Sequence, residues 1–284
     1  MQKEHKFFRY WRLIYPLGFY FIMTNIVALL AMVGIATVYT VKNPLLSPAV
    51  LAQMMYDSYM EQLLLITFLS GLVTLPFLVI FMRADTSRKK KAGTWKKYER
   101  APLWGYGVLV LLGGFACLGL NNLIAVSGLT QIFDDYSEIA EFLYQSNIPF
   151  EILATGILIP VVEELLFRGL IFRRAREYFN FPVALVFSAA MFGIYHGNIV
   201  QGIYAFILGL IFGYTCERFK SVWAPIILHS SANCLSVILS ETEIFTPIYE
   251  NVGVFFLITA ISIIIVICLL LLIEQKINLK EVEN

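Results

Sequence analysis

Eight stretches of this chain are apolar enough to lie in a lipid bilayer: residues 13–41, 62–83, 102–128, 149–172, 182–199, 202–217, 222–240 and 252–273. A helix that crosses the hydrocarbon core takes about 20 mostly apolar residues. The first and third stretches exceed that length, and the fifth to seventh are short and closely spaced. Of 284 residues, 59% are hydrophobic and 14% charged. Water-soluble domains carry roughly a quarter charged residues. So few charges cannot cover a water-facing surface, and the bilayer is the expected solvent.

The placement of those charges orients the stretches. Lys and Arg collect in cytoplasmic loops. Four basic residues precede the first stretch, eight lie in 83–100 including the run Arg88-Lys89-Lys90-Lys91, and Arg173, Arg174 and Arg176 follow the fourth stretch. Arg218 and Lys220 follow the sixth, and Lys276 and Lys280 the eighth. With eight crossings all of these fall on one side, 19 of the 21 Lys and Arg. Residues 130–151 and 241–250, on the other side, carry acids and no base. The expectation is an all-α, polytopic transmembrane bundle of eight helices, both termini cytoplasmic, forming a single membrane domain over 1–284. Residues 47–61 read either as a short interfacial helix or as the start of the second span. The basic segment 83–100, with Trp95 and Tyr98, is expected to rest on anionic headgroups, not on nucleic acid. No cleavable signal peptide is evident. The four cysteines, Cys117, Cys216, Cys234 and Cys268, fall in apolar runs without CxxC spacing. They are expected to be buried thiols, neither disulfides nor zinc ligands.

Ionisable side chains are costly at membrane depth, about 2.5–3.5 kcal/mol each on insertion scales, and so mark functional positions. They cluster here. The fourth stretch holds Glu163, Glu164 and Arg168, the fifth His196, and the seventh His229 with Asn233. By helical rise, Glu163 and His229 lie at comparable depth from the basic edge, roughly 13–15 Å, and His196 deeper, at about 21 Å. Spacing assigns faces: Glu164 and Arg168, Phe192 and His196, and His229 and Asn233 are each i, i+4 pairs. Glu163 is turned about 100° from Glu164, so the two carboxylates need not share a task. Pro160 is expected to kink the fourth helix. Gly209 and Gly213 form a GxxxG that allows close packing of the sixth helix against the site.

In order, the chain thus reads Glu163-Glu164-Leu165-Leu166-Phe167-Arg168, Phe192-Gly193-Ile194-Tyr195-His196 and His229-Ser230-Ser231-Ala232-Asn233. These patterns, EExxxR, FxxxH and HxxxN, resemble the CPBP family of CAAX proteases and bacteriocin-processing enzymes, over about residues 149–240. The resemblance implies an eight-helix membrane bundle with a site opening toward the cytoplasm. It also implies hydrolysis of a peptide bond by water that a glutamate and a histidine activate. Carried over by motif, Glu163 is the general base, His196 positions the water, His229 and Asn233 stabilise the oxyanion, and Glu164 with Arg168 orients the site. The chemistry is compatible: imidazole and carboxamide groups can donate to a developing oxyanion.

Bland readings stand beside these. Glu164–Arg168 can be a structural ion pair, the histidines interhelical hydrogen bonds, and Asn233 packing glue. Two Glu and two His could also hold zinc. There is no HExxH, Asn is a poor zinc ligand, and a metal-free glutamate mechanism without cofactor is favoured. The leading function is an intramembrane endopeptidase in a bacterial cell membrane, acting on a peptide or protein substrate that is lipidated or not. The competing readings are an inactive scaffold or bacteriocin-immunity protein, a zinc-dependent membrane protease, and a proton- or metal-coupled transporter. The last is disfavoured because the sequence lacks a second half related to the first.

Overall fold

The computed structural model describes residues 6–132, 147–242 and 251–282. The acidic segments used above to orient the chain fall largely on 133–146 and 243–250, outside the described residues. What is described is helical: α1 Lys6–Lys42, α2 Pro48–Glu61, α3 Leu63–Lys91 and α4 Leu103–Ser127 come first. Next is α5, an unbroken helix over 148–178. Then follow α6 Phe181–Tyr195, α7 Ile199–Phe219, α8 Trp223–Glu241 and α9 Val252–Lys276. A two-residue antiparallel ladder joins β1 Lys97–Tyr98 to β2 Glu281–Val282. Six helices, α1, α3, α4, α7, α8 and α9, are long and apolar enough to cross a membrane.

Each of the eight expected stretches falls on a helix, with boundary shifts that have local causes. The fifth was expected to reach residue 199, but α6 ends at Tyr195. Gly197 has φ +76°, and Asn198 caps α7 by accepting from the Gln201 amide at 2.8 Å. His196 therefore sits at the C-terminal end of α6. The fourth was expected to stop at 172, but α5 continues to 178 because Arg174 is not a solvated loop residue. Arg174 is buried, donating to Asp85 Oδ2 at 2.6 Å, to the Arg12 carbonyl at 2.6 Å and to the Tyr15 hydroxyl at 2.8 Å. This ties α1 and α3 to α5 at their basic ends. Residues 48–61 form a helix of their own, capped by Ser47 and separated from α3 at Gln62. Cys117 and Cys216 are buried as expected, whereas Cys268 is exposed on α9. An outward thiol in an apolar helix needs no partner where its neighbours are lipid.

The core forms around α5, whose residues 162–172 are all buried. Small residues allow this density, since in lipid close approach and dispersion replace the hydrophobic drive. At Gly113 of α4 an added Cβ would lie 2.2 Å from the Leu228 carbonyl oxygen of α8. The obstacle is backbone and cannot rotate away. Gly113→Ala should lower the melting temperature of the detergent-solubilised protein, by the equivalent of about 1–3 kcal/mol for an overpacked site. An unchanged melting curve would disprove this account of the α4–α8 contact. Gly209 of α7 faces Arg168 and Ala189, and Gly213 faces Leu185, so the GxxxG packs against site helices as expected.

Candidate active site

Helix α5 is not uniform. Ile152–Leu158 and Leu165–Phe172 are wound as π-helix, with a single α-helical segment, Ile159–Glu164, between them. Pro160 accounts for part of this. It has no amide hydrogen and its ring crowds the preceding turn, and a wider turn just before it absorbs the clash. The expected irregularity at Pro160 is thus a change of winding. π-turns recur at functional sites because they re-aim side chains, and here they bracket both glutamates.

Glu164 and Arg168 are fully buried, and Nη1 of Arg168 donates to Glu164 Oε1 at 2.8 Å. Nη2 of the same guanidinium reaches the Gly209 carbonyl of α7 at 3.1 Å. Its Cζ lies over two adjoining aromatic rings, 4.5 Å from the Phe192 centroid and 5.0 Å from that of Phe212. The second partner of Glu164 Oε1 comes from α8: Nδ1 of His229, at 2.9 Å. Since a carboxylate only accepts, Nδ1 carries the hydrogen of that bond. The other ring nitrogen, Nε2, is thereby turned toward Glu163, 3.7 Å from its Oε2. The His229 ring is further fixed by stacking on Phe212, centroids 4.6 Å apart. Glu163 itself is buried but for a small fraction, and His229 likewise.

His196, at the end of α6, holds its Nδ1 2.8 Å from the Phe192 carbonyl. A carbonyl accepts, so this nitrogen also carries hydrogen and Nε2 is an acceptor in the neutral ring. His196 and His229 flank one ring, that of Phe192, at centroid distances of 4.7 and 5.9 Å. Asn233, one turn beyond His229, uses Nδ2 to bond the Thr155 carbonyl at 2.9 Å. That carbonyl belongs to the first π-stretch of α5, where backbone groups leave the ordinary helical pattern.

The structure therefore brings Glu163, Glu164, Arg168 and His229 into one connected cluster. It sets His196 beside the cluster across Phe192 and anchors Asn233 to α5. Two tyrosines that sequence reasoning passed over belong here. The rings of Tyr20 on α1 and Tyr195 on α6 pack against each other, centroids 5.3 Å apart, and both lie within electrostatic reach of Glu163. Tyr195 immediately precedes His196 in its motif and was within sight. Tyr20 lies in a helix with no motif, so only the fold could place it. Phe212, the ring beneath both Arg168 and His229, was likewise unmarked in the sequence.

Among the described residues no three His, Cys, Asp or Glu side chains are disposed to hold a metal ion.

Comparison with known proteins points the same way. Residues 145–235 match the family model described as type II CAAX prenyl endopeptidase Rce1-like. A Bacillus subtilis protein named "Putative membrane peptidase YdiL" is 33% identical over 92 residues, which are 32% of this chain and 38% of that protein. No solved structure matches the chain. The family match takes in all three motifs, and hence Glu163, Glu164, Arg168, His196, His229 and Asn233, but not Tyr20.

Proposed function

We propose that this chain, whose residues 145–235 match the Rce1-like CAAX endopeptidase family model, is an intramembrane endopeptidase that cleaves a peptide bond near the cytoplasmic membrane face with water activated by Glu163. The proposed setting is a bacterial cell membrane crossed eight times, six times by the long helices and twice by α5 and α6, with both termini on the basic side. The observation that carries the reading is the relay Arg168–Glu164–His229, which ends with an acceptor nitrogen aimed at the Glu163 carboxylate.

The Glu163 carboxylate, facing His229 Nε2 at 3.7 Å, forms one flank of the proposed water site. Glu163 takes a proton from the water, and the oxygen forms a bond to the substrate carbonyl carbon. His196, its Nε2 an acceptor, holds the water's second hydrogen. As the carbonyl oxygen becomes an oxyanion, the second Nδ2 hydrogen of Asn233, the one not given to the Thr155 carbonyl, is its proposed donor. Glu163 hands the proton taken from water on to the facing Nε2 of His229, which then supports the oxyanion as a donor, and the fixed Glu164 partner stabilises the imidazolium as a buried carboxylate does. The C–N bond then breaks as the same proton passes from His229 Nε2 to the departing amine. Each transfer uses a side chain of this chain, and the reaction is proposed to need no metal.

The test is hydrolysis of a fluorogenic peptide panel, prenylated and unmodified, by the purified full chain in detergent, with and without a strong chelator. The expected result is cleavage that persists in chelator and is lost in His229→Ala. Cleavage abolished by chelator and restored by added zinc would replace this mechanism with the metal-dependent one. Absence of cleavage across a broad panel, with the physiological role intact in the His229→Ala cell, would favour the scaffold.

A further inference from the structure

A cavity lies away from Glu163 and Glu164, at the basic ends of α3, α5 and α7. It encloses about 850 Å³ and is roofed by the segment after α3 that carries β1. Seven Lys and Arg side chains line it against three glutamates. Volumes of 300–1,000 Å³ are typical of small-ligand sites. A cavity of one sign also focuses the field that draws in an oppositely charged ligand.

Which cations are already neutralised decides what it can hold. Lys89 pairs with Glu177, Lys96 with Glu281, and Arg176 and Lys220 share Glu217. Lys97, Arg100 and Arg173 have no carboxylate partner among the described residues. Arg173 is half-buried and held at the wall, where Nη2 meets the Lys220 carbonyl at 3.5 Å. The roof is also fixed in place. The β1–β2 ladder, the Lys96–Glu281 ion pair and the Lys280 amide bonded to Glu99 at 3.1 Å clip the C-terminal segment onto it. Lys220 lies over the Tyr98 ring and Lys90 over Trp95. Three unneutralised cations on an ordered frame thus face one space, whose other wall is apolar: Leu103, Tyr106, Phe172 and Phe219.

We propose that this cavity is a binding site for a phosphate-bearing anion, anchored by Lys97, Arg100 and Arg173. Arg presents paired N–H donors that match phosphate oxygens, and the apolar wall suits the glycerol and upper acyl part of a phospholipid. The same chemistry would accept a soluble phosphate, so the source is decided by experiment.

The test uses the purified full chain in non-ionic detergent, titrated with dioctanoyl phosphatidylglycerol, dioctanoyl phosphatidylcholine or inorganic phosphate while the melting temperature is followed. Phosphatidylglycerol is expected to raise the midpoint saturably, and the Lys97→Gln/Arg100→Gln variant to weaken that response by at least about tenfold. That is the scale of one lost hydrogen bond to a charged group. Both residues are exposed on the roof, so the ligand-free melting temperature should be unchanged, and Arg100→Lys should restore part of the affinity. A response to inorganic phosphate that the double variant also loses would assign the site to a soluble anion. Equal responses to both lipids, or a double variant that titrates like wild type, would overturn the proposal.

Discussion

Glu163→Gln should reduce peptide cleavage by about 10²–10⁴-fold, the range associated with losing a positioned general base, while leaving the protein folded. Glutamine has the shape of the native side chain and can still accept and donate hydrogen bonds, but it cannot take a proton from water. Glu163 makes no ion pair shorter than its 3.7 Å approach to His229 Nε2. Its charge is therefore not what holds the helices together, unlike that of Glu164. The single-turnover rate in detergent, read beside the melting temperature, separates the two effects. Cleavage at the wild-type rate by Glu163→Gln would remove Glu163 from the chemistry. Loss of rate with an equal loss of melting temperature would show that Glu163 supports the fold instead.

The parts of this site that were legible in the sequence share a property: they depend on short-range spacing. Glu164 and Arg168 are four apart, and any helical winding close to ideal brings them together, as the 2.8 Å contact confirms. Phe192 and His196, also four apart, meet by the same geometry. The apolar stretches were legible because lipid leaves the backbone no alternative to helix. What could not be read depends on partners far along the chain. Arg174 looked like a solvated loop cation until Asp85 and Tyr15 came to lie against it. The π-winding of α5 could not be foreseen either. Pro160 announced an irregularity but not its form, which is set by how α8 and α3 pack on that segment. The end of α6 was signalled by Gly197 and Asn198, and the apolar residues on either side obscured it. The basic cavity combines residues from 86 to 106, 172 to 177 and 216 to 221, and positive charge that reads as orientation in the sequence becomes a binding surface only in three dimensions.

The largest effect on stability is expected at Arg168. Removing one member of a buried ion pair costs about 3–5 kcal/mol, because the remaining charge stays desolvated and unpaired, and total stabilities are only about 5–15 kcal/mol. Arg168→Leu would leave Glu164, itself fully buried, with His229 as its one remaining partner. It would also remove the cation that lies over Phe192 and Phe212. A steep drop in melting temperature should follow. Arg168→Lys should fall between, since a single ammonium cannot bond Glu164 and the Gly209 carbonyl in one plane while stacking on both rings. The informative variant is Glu164→Leu with Arg168→Leu. Replacing both members of a buried pair by apolar residues is often neutral for stability, so much of the lost melting temperature should return. Cleavage should not return with it, because His229 would no longer have a carboxylate to fix which nitrogen faces Glu163. A double variant that regained activity as well as stability would show that the pair only packs the core. A double variant stable and inactive would place the pair in the relay, where its burial fixes the direction of one imidazole.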